Sequence, residues 1–142
     1  MAISSAICTS FKQEILDGTH NFTASSGDTF KIALYTSSAS LGASTTAYST
    51  SNEISGTGYT AAGATLTSVT PTTSGTTALC DFADVSFTSA SFTANGALIY
   101  NSSQSNKAVA VIAFGGEKTV SSGTFTIQFP TADASNAIIR IA

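Results

Sequence analysis

The chain has no tryptophan, one histidine, one methionine, two cysteines and two prolines, and only 9% of its residues are charged. Each shortage removes a class of function. A lone histidine and two cysteines far apart in sequence offer no transition-metal spacing. Acid–base catalysis needs titratable groups that converge, and eight carboxylates with one imidazole over 142 residues provide few. The five cations, Lys12, Lys31, Lys107, Lys118 and Arg140, are dispersed in a chain of net charge -3, so no basic patch exists to hold a nucleic acid. No stretch approaches the roughly 18 apolar residues of a membrane-spanning helix. The opening MAISSAICTSFKQ lacks the basic and apolar regions of a signal peptide. The chain is therefore expected neither to use that export route nor to span a membrane, and Cys8 and Cys80 are expected to be buried thiols rather than a disulfide.

What is abundant is hydroxyl. Roughly a third of the residues are Ser or Thr, while the hydrophobic fraction is 42% and the mean hydropathy +0.25. Such a chain folds, unlike the highly charged class of disordered proteins. Its surface polarity comes from neutral groups, and the weak electrostatic repulsion that results favours association. The length suits one domain, residues 1–142.

Helical spacing occurs once. Ile3, Ile7, Phe11 and Ile15 form an i, i+4 row from Met1 to Leu16, stopped by Asp17-Gly18, which predicts one amphipathic helix within residues 1–17. From Thr29 onward the period is two, predicting an antiparallel β-sandwich or jelly-roll-like domain over residues 29–142. The expected strands are Thr29–Thr36, Tyr59–Ser68, Thr76–Phe82, Val85–Phe87, Phe92–Ala94, Ala97–Tyr100, Lys107–Phe114, Thr124–Phe129 and Ala137–Ile141. Between the first two lies a Ser/Thr-rich loop, Ser37–Asn52, anchored by Leu41 and Tyr48. Pro71–Gly75 reads as a turn, and Gly115-Gly116 as the end of a strand. Lys107–Phe114, with Val109, Val111, Ile112 and Phe114, is apolar on both faces and reads as the central strand. Phe125, Ile127 and Phe129 share one inward face.

The residues that invite a chemical reading are few. His20, in GTHNF, is expected in a loop, exposed or bonded to backbone. A Cys8/His20 dyad fails on the placement of Cys8 beside an apolar row, which buries the thiol. Asp81 and Asp84 read as caps on backbone amides in a turn, with a single calcium site as the sharper reading. Gly56–Gly63 (GTGYTAAG) has no Lys followed by Ser or Thr, and Gly115–Thr119 (GGEKT) puts Glu117 where a phosphate cradle needs a small, uncharged residue, so both read as turns. The sequons beginning at Asn21 and Asn101 are chance matches in a chain this rich in Ser and Thr.

The phrases TFKIALYTSSASL, SGTGYTAAGATLT, DFADVSFTSASFTANGALIYNSS and TFTIQFPTADASNAIIRIA, with the opening MAISSAICTSFKQEILDG, resemble small virion proteins from the head gene region of tailed bacteriophages. The resemblance covers nearly the whole chain. It implies a capsid cement or decoration protein, made in the host cytoplasm and placed on the capsid surface. The implied partners are the major capsid protein and further copies of the chain, as a dimer or trimer. It implies no catalytic, cofactor-binding or metal-binding residue and no cofactor, and leaves the capsid-binding residues open. A tail, neck or fibre-associated virion protein is the nearest alternative. A carbohydrate-binding β-sandwich is the other, with Tyr35, Tyr48, Tyr59 and Tyr100 as stacking faces, weakened by the absence of Trp.

Overall fold

A computed structural model describes residues 2–142. In chain order the elements are β1 (Ala6–Ile7), α1 (Thr9–Leu16), β2 (Phe30–Tyr35), β3 (Ala64–Thr65), β4 (Ser68–Ser74), β5 (Thr77–Phe82), β6 (Val85–Asn101), β7 (Lys107–Ile127) and β8 (Ile139–Ile141). They form two antiparallel sheets, ordered β1-β7-β6-β2-β3 and β4-β5-β8, with the one short helix at the edge. The fold is the all-β sandwich that the period-two pattern predicts.

Aromatic rings join the sheets. Phe30 of β2 is fully buried and lies 5.7 Å from Phe82 of β5; Phe22 stacks on Phe30 at 4.3 Å and Phe129 sits 5.9 Å from Phe82. Offset and tilted rings at these separations add attraction beyond the area they bury. Leu41 and Tyr48 anchor the long loop as expected: Leu41 bridges to Ile3, and the Tyr48 ring stacks on Tyr100 at 4.7 Å.

The helix is half the expected length. Only Thr9–Leu16 is helical; Ala6–Ile7 instead pairs with Val111 and Ala110, and the Cys8 amide donates to the Val109 carbonyl at 3.0 Å. β-branched Ile3 and Ile7 suit an edge strand, and this edge satisfies backbone groups that a marginal helix would leave to water. Met1, where the helix was expected to begin, lies outside the described residues.

The strands also differ from the sequence reading, and bulges are the reason. Val85–Phe87, Phe92–Ala94 and Ala97–Tyr100 are one 17-residue strand, and Lys107–Phe114 joins Thr124–Phe129 in one strand of 21 residues ending at Ile127. Gly115 and Gly116 do not stop β7. Gly96 pairs with Ala113 and Ala94 with Lys118, so four residues of β7 lie opposite Asn95 alone, and Gly115 (φ +77°) and Gly116 (φ +142°) take up the bend. The central, most enclosed strand is β6 at Ala97–Asn101, between β7 and β2, rather than Lys107–Phe114, whose Ile112 and Phe114 are half-buried.

Tyr59–Ser68 contributes only the two residues of β3 and, at Ser68, the first of β4, because residues 56–63 fold flat against β2 and β6. At Gly63 (φ +85°) an added Cβ would lie 1.9 Å from the Ile32 carbonyl oxygen, which only glycine avoids. Pro71 lies within β4, not in a turn. β4 is an edge strand with a register shift between Val69 and Thr72, the setting in which a missing N–H costs no ladder bond. The turn is the two-residue Gly75-Thr76, with Gly75 at φ +60°, joining Ser74 to Thr77.

Candidate functional site

Three groupings of polar side chains bear on function: one near the β6–β7 turn, one around Glu53, and one along the outer face of β6 and β7; a fourth, at Asp133, caps the amides of Ser135 and Asn136. The first is built on His20. It lies in a loop as expected, but its side chain is neither exposed nor bonded to backbone: it has no solvent exposure, and rings of Phe11 (4.8 Å), Phe22 and Phe30 surround it. Asn101, fully buried at the end of β6, fixes the geometry. Its Oδ1 accepts from the Ser103 amide at 3.0 Å, while Nδ2 donates to Asp28 Oδ2 at 2.8 Å and to His20 Nδ1 at 2.9 Å. Because Nδ1 accepts, the imidazole proton sits on Nε2 and is donated to Glu14 Oε1 at 2.8 Å. Lys107 Nζ closes the chain 3.6 Å from Glu14 Oε2.

Asp28 also accepts the Asn21 amide at 3.0 Å and Gln104 Nε2 at 3.3 Å. Desolvation works against its charged form, but the hydrogen bonds from Asn101, Asn21 and Gln104, with His20 nearby, outweigh it and hold the carboxyl below its usual range. Six side chains from α1, the 17–29 segment, β6, the 102–106 turn and β7 thus form one network, and the sequon at Asn101 is buried inside it. No spacing motif pointed to it, since Asn101 lies 81 positions from His20 and 73 from Asp28.

The thiols stand apart from this network. Cys8 Sγ lies 3.9 Å from the Gly42 carbonyl oxygen, and both cysteines are buried and unpaired, as the sequence reading expected. Burial, reinforced by Glu14, pushes Cys8 up to about 11; burial with Asp81 pushes Cys80 up to about 12. Both are therefore protonated and poorly nucleophilic at neutral pH.

Glu53 organises the second cluster. Its Oε1 accepts the Tyr48 hydroxyl at 2.7 Å, and its Oε2 accepts the Tyr59 hydroxyl at 2.5 Å and the Ala62 amide at 2.8 Å. Tyr35 donates to the Ser49 carbonyl at 2.7 Å, Tyr100 to that of Ala62 at 2.6 Å, and Tyr59 accepts the Leu34 amide at 3.0 Å. Burial raises all four hydroxyls above their usual range, Tyr100 to about 12. All four tyrosines of the chain thus serve as internal ties between β2, β6 and the 47–63 segment, and the two rings of Tyr35 and Tyr100 are buried. A sugar-stacking platform needs open ring faces.

Asp81 and Asp84 do not converge. Asp81 Oδ1 accepts the amide of Phe82 and Asp84 Oδ1 that of Phe129, each at 2.8 Å, the amide-capping role expected of them. Among the described residues no three His, Cys, Asp or Glu side chains gather as a metal site, and no helix is long and apolar enough to cross a membrane.

The third place is a surface. Thr93 and Thr119 hydroxyls meet at 2.9 Å across β6 and β7, Ser86 and Thr126 at 3.0 Å, and Ser91 Oγ accepts the Ser122 amide at 2.9 Å. Beyond Val111, the partner of Ala6, β7 has a strand neighbour on one side only among the described residues; Ser5 Oγ accepts the Ala113 amide at 2.8 Å, and past it the outer edge runs without a strand partner to Ile127. Backbone groups along such an edge are a template for another chain.

No protein-family model, no curated protein and no solved structure matches this chain.

Proposed function

We propose that the chain is a non-enzymatic structural protein of a bacteriophage particle, a cement or decoration protein that binds the major capsid protein on the capsid surface. The observation that carries this reading is the open edge of β7 beside the hydroxyl-lined face of β6 and β7, on a sandwich whose histidine, thiols and paired aspartates are all engaged internally. His20 is enclosed by Glu14 and Asn101, the thiols are protonated, and Asp81 and Asp84 cap amides. The sequence phrases that resemble phage head-region proteins support the same reading. A cement needs surfaces rather than a reactive centre. Many copies with modest affinity stabilise a shell together, because each contact restrains the next. A neutral hydroxyl ladder and an unpaired edge supply hydrogen bonds for such contacts, to the shell or between copies in a dimer or trimer.

The test is a particle without the protein. Shells should assemble around the major capsid protein yet lose resistance to heat and osmotic shock, and purified protein should restore it. Undecorated shells of equal robustness would refute the proposal. A few copies per particle, found only in tails or necks, would move the chain to the tail or neck class.

A further inference from the structure

An apolar groove of about 620 Å³ lies between α1 and β8. Phe11 and Ile15 contribute from the helix, and Ile138, Ile139 and Ile141 from the C-terminal segment. Leu16 and Ile141 line it as well; at 89% and 55% exposed they are two of the three exposed large hydrophobic side chains among the described residues. β8 ends its sheet, so its far edge has no strand partner there.

Charge decides what fits. The chain carries net -3, yet the charged side chains lining this groove are Lys12 and Arg140, two of its five cations, with no Asp or Glu among them. The side chains lining the groove thus carry a sign opposite to that of the molecule, and Arg140, whose Nη1 donates to the Ala134 carbonyl at 2.8 Å with Asp133 nearby, is the more engaged of the two cations. A second copy is a poor occupant, since antiparallel pairing of β8 with itself about Arg140 would set two guanidinium groups opposite each other. We propose that the groove docks an extended apolar segment of a different protein, flanked by carboxylates. Such a segment would add a strand to β8, place alternate apolar side chains over Leu16, Ile139 and Ile141, and set its acidic flanks against Lys12 and Arg140. This deepens the decoration reading by naming the chemistry of the shell segment that the chain grips, and it rests on that reading only for the identity of the donor.

The probe is a labelled acetyl-Asp-Ile-Val-Ile-Asp-amide peptide, with a Lys-flanked peptide of the same core as control, followed by fluorescence anisotropy on the full chain. The acidic peptide should bind about tenfold more tightly than the control. Leu16→Glu with Ile141→Glu should abolish binding, and Lys12→Glu with Arg140→Glu should invert the preference. Both pairs are surface changes, and an unchanged circular dichroism spectrum confirms that each variant folds. Equal affinity for the two peptides, no binding of either, or binding that survives Leu16→Glu with Ile141→Glu overturns the proposal. So does a dimer in sedimentation that Leu16→Glu dissolves, since the occupant is then a second copy. In a parallel arm with purified shells, decoration that persists in the Leu16/Ile141 variant removes the groove from the interface. Peptide binding without any decoration by the native chain keeps the groove and refutes the capsid role instead.

Discussion

Replacing Asn101 by Ala removes a side chain that has no solvent exposure and makes three contacts at once. The Asp28 carboxylate, His20 Nδ1 and the Ser103 amide each lose a partner held at 2.8, 2.9 and 3.0 Å. A hydrogen bond contributes about 0.5 to 1.5 kcal/mol net, and a buried acceptor left orphaned costs about 1 to 3 kcal/mol. His20 Nδ1 has no route to water because its ring is enclosed, so it takes the orphan cost, whereas Asp28 and Ser103 are less enclosed and lose nearer the net value. The sum is about 3 kcal/mol. For a domain of this size that lowers Tm by about 10 °C. The assay is thermal and urea unfolding followed by circular dichroism at pH 7. Asn101→Asp should be no better, because it places a second carboxylate against Asp28. A loss below about 0.5 kcal/mol, the scale of surface substitutions, would show that the network is not closed as described.

Two further outcomes follow from the core and the carboxylates. Phe30→Ala, which opens a fully buried site against Phe22 and Phe82, should cost about 3 to 5 kcal/mol, whereas Phe125→Ala at a half-buried site should cost less than half as much; equal losses in urea unfolding would misplace the core. The Asp28 carboxyl is depressed in the folded state, so its stabilisation is complete above its unfolded value of about 3.9 and is lost as pH falls through the lower folded value. Asp28→Asn should therefore flatten the acid limb of the stability profile below about pH 4; an unchanged limb would assign acid lability to other carboxylates.

The sequence made the all-β class and the ladder residues legible, because period-two alternation reports which face of a strand is buried. Ile127 and Phe129 are buried as that alternation implies. Continuity was not legible. Gly115-Gly116 and the Ser-rich stretch around Ser89 carry turn chemistry, yet pairing across the β6–β7 hairpin converts both into bulges, with Ser89 at φ +48°. The helix was overestimated for a related reason: Ile3 and Ile7 satisfy a helical row and a strand equally well, and only the presence of β7 beside them selects the strand. The amide cap at Asp81 was readable because its partner, Phe82, is the next residue, whereas the partner of Asp84, Phe129, is supplied by the fold. The His20 network and Glu53 were not readable, since their partners come from segments that only the fold brings together.

The long β6–β7 hairpin also sets an order of assembly. Its two strands are joined by residues 102–106, where the Lys107 amide returns to the Gln104 carbonyl at 3.2 Å, so this pairing is local and can zip from the tip. β1 is the opposite case, since Ala6 finds its partner only at Val111. Local contacts close quickly and distant ones slowly. During synthesis the amino-terminal segment therefore waits for most of the chain before it can seat, with Ile3 and Ile7 uncovered meanwhile. The interval between emergence and seating is when the chain is most exposed to the wrong partner. In hydrogen exchange the same pair of residues, last to seat, should be among the first to open.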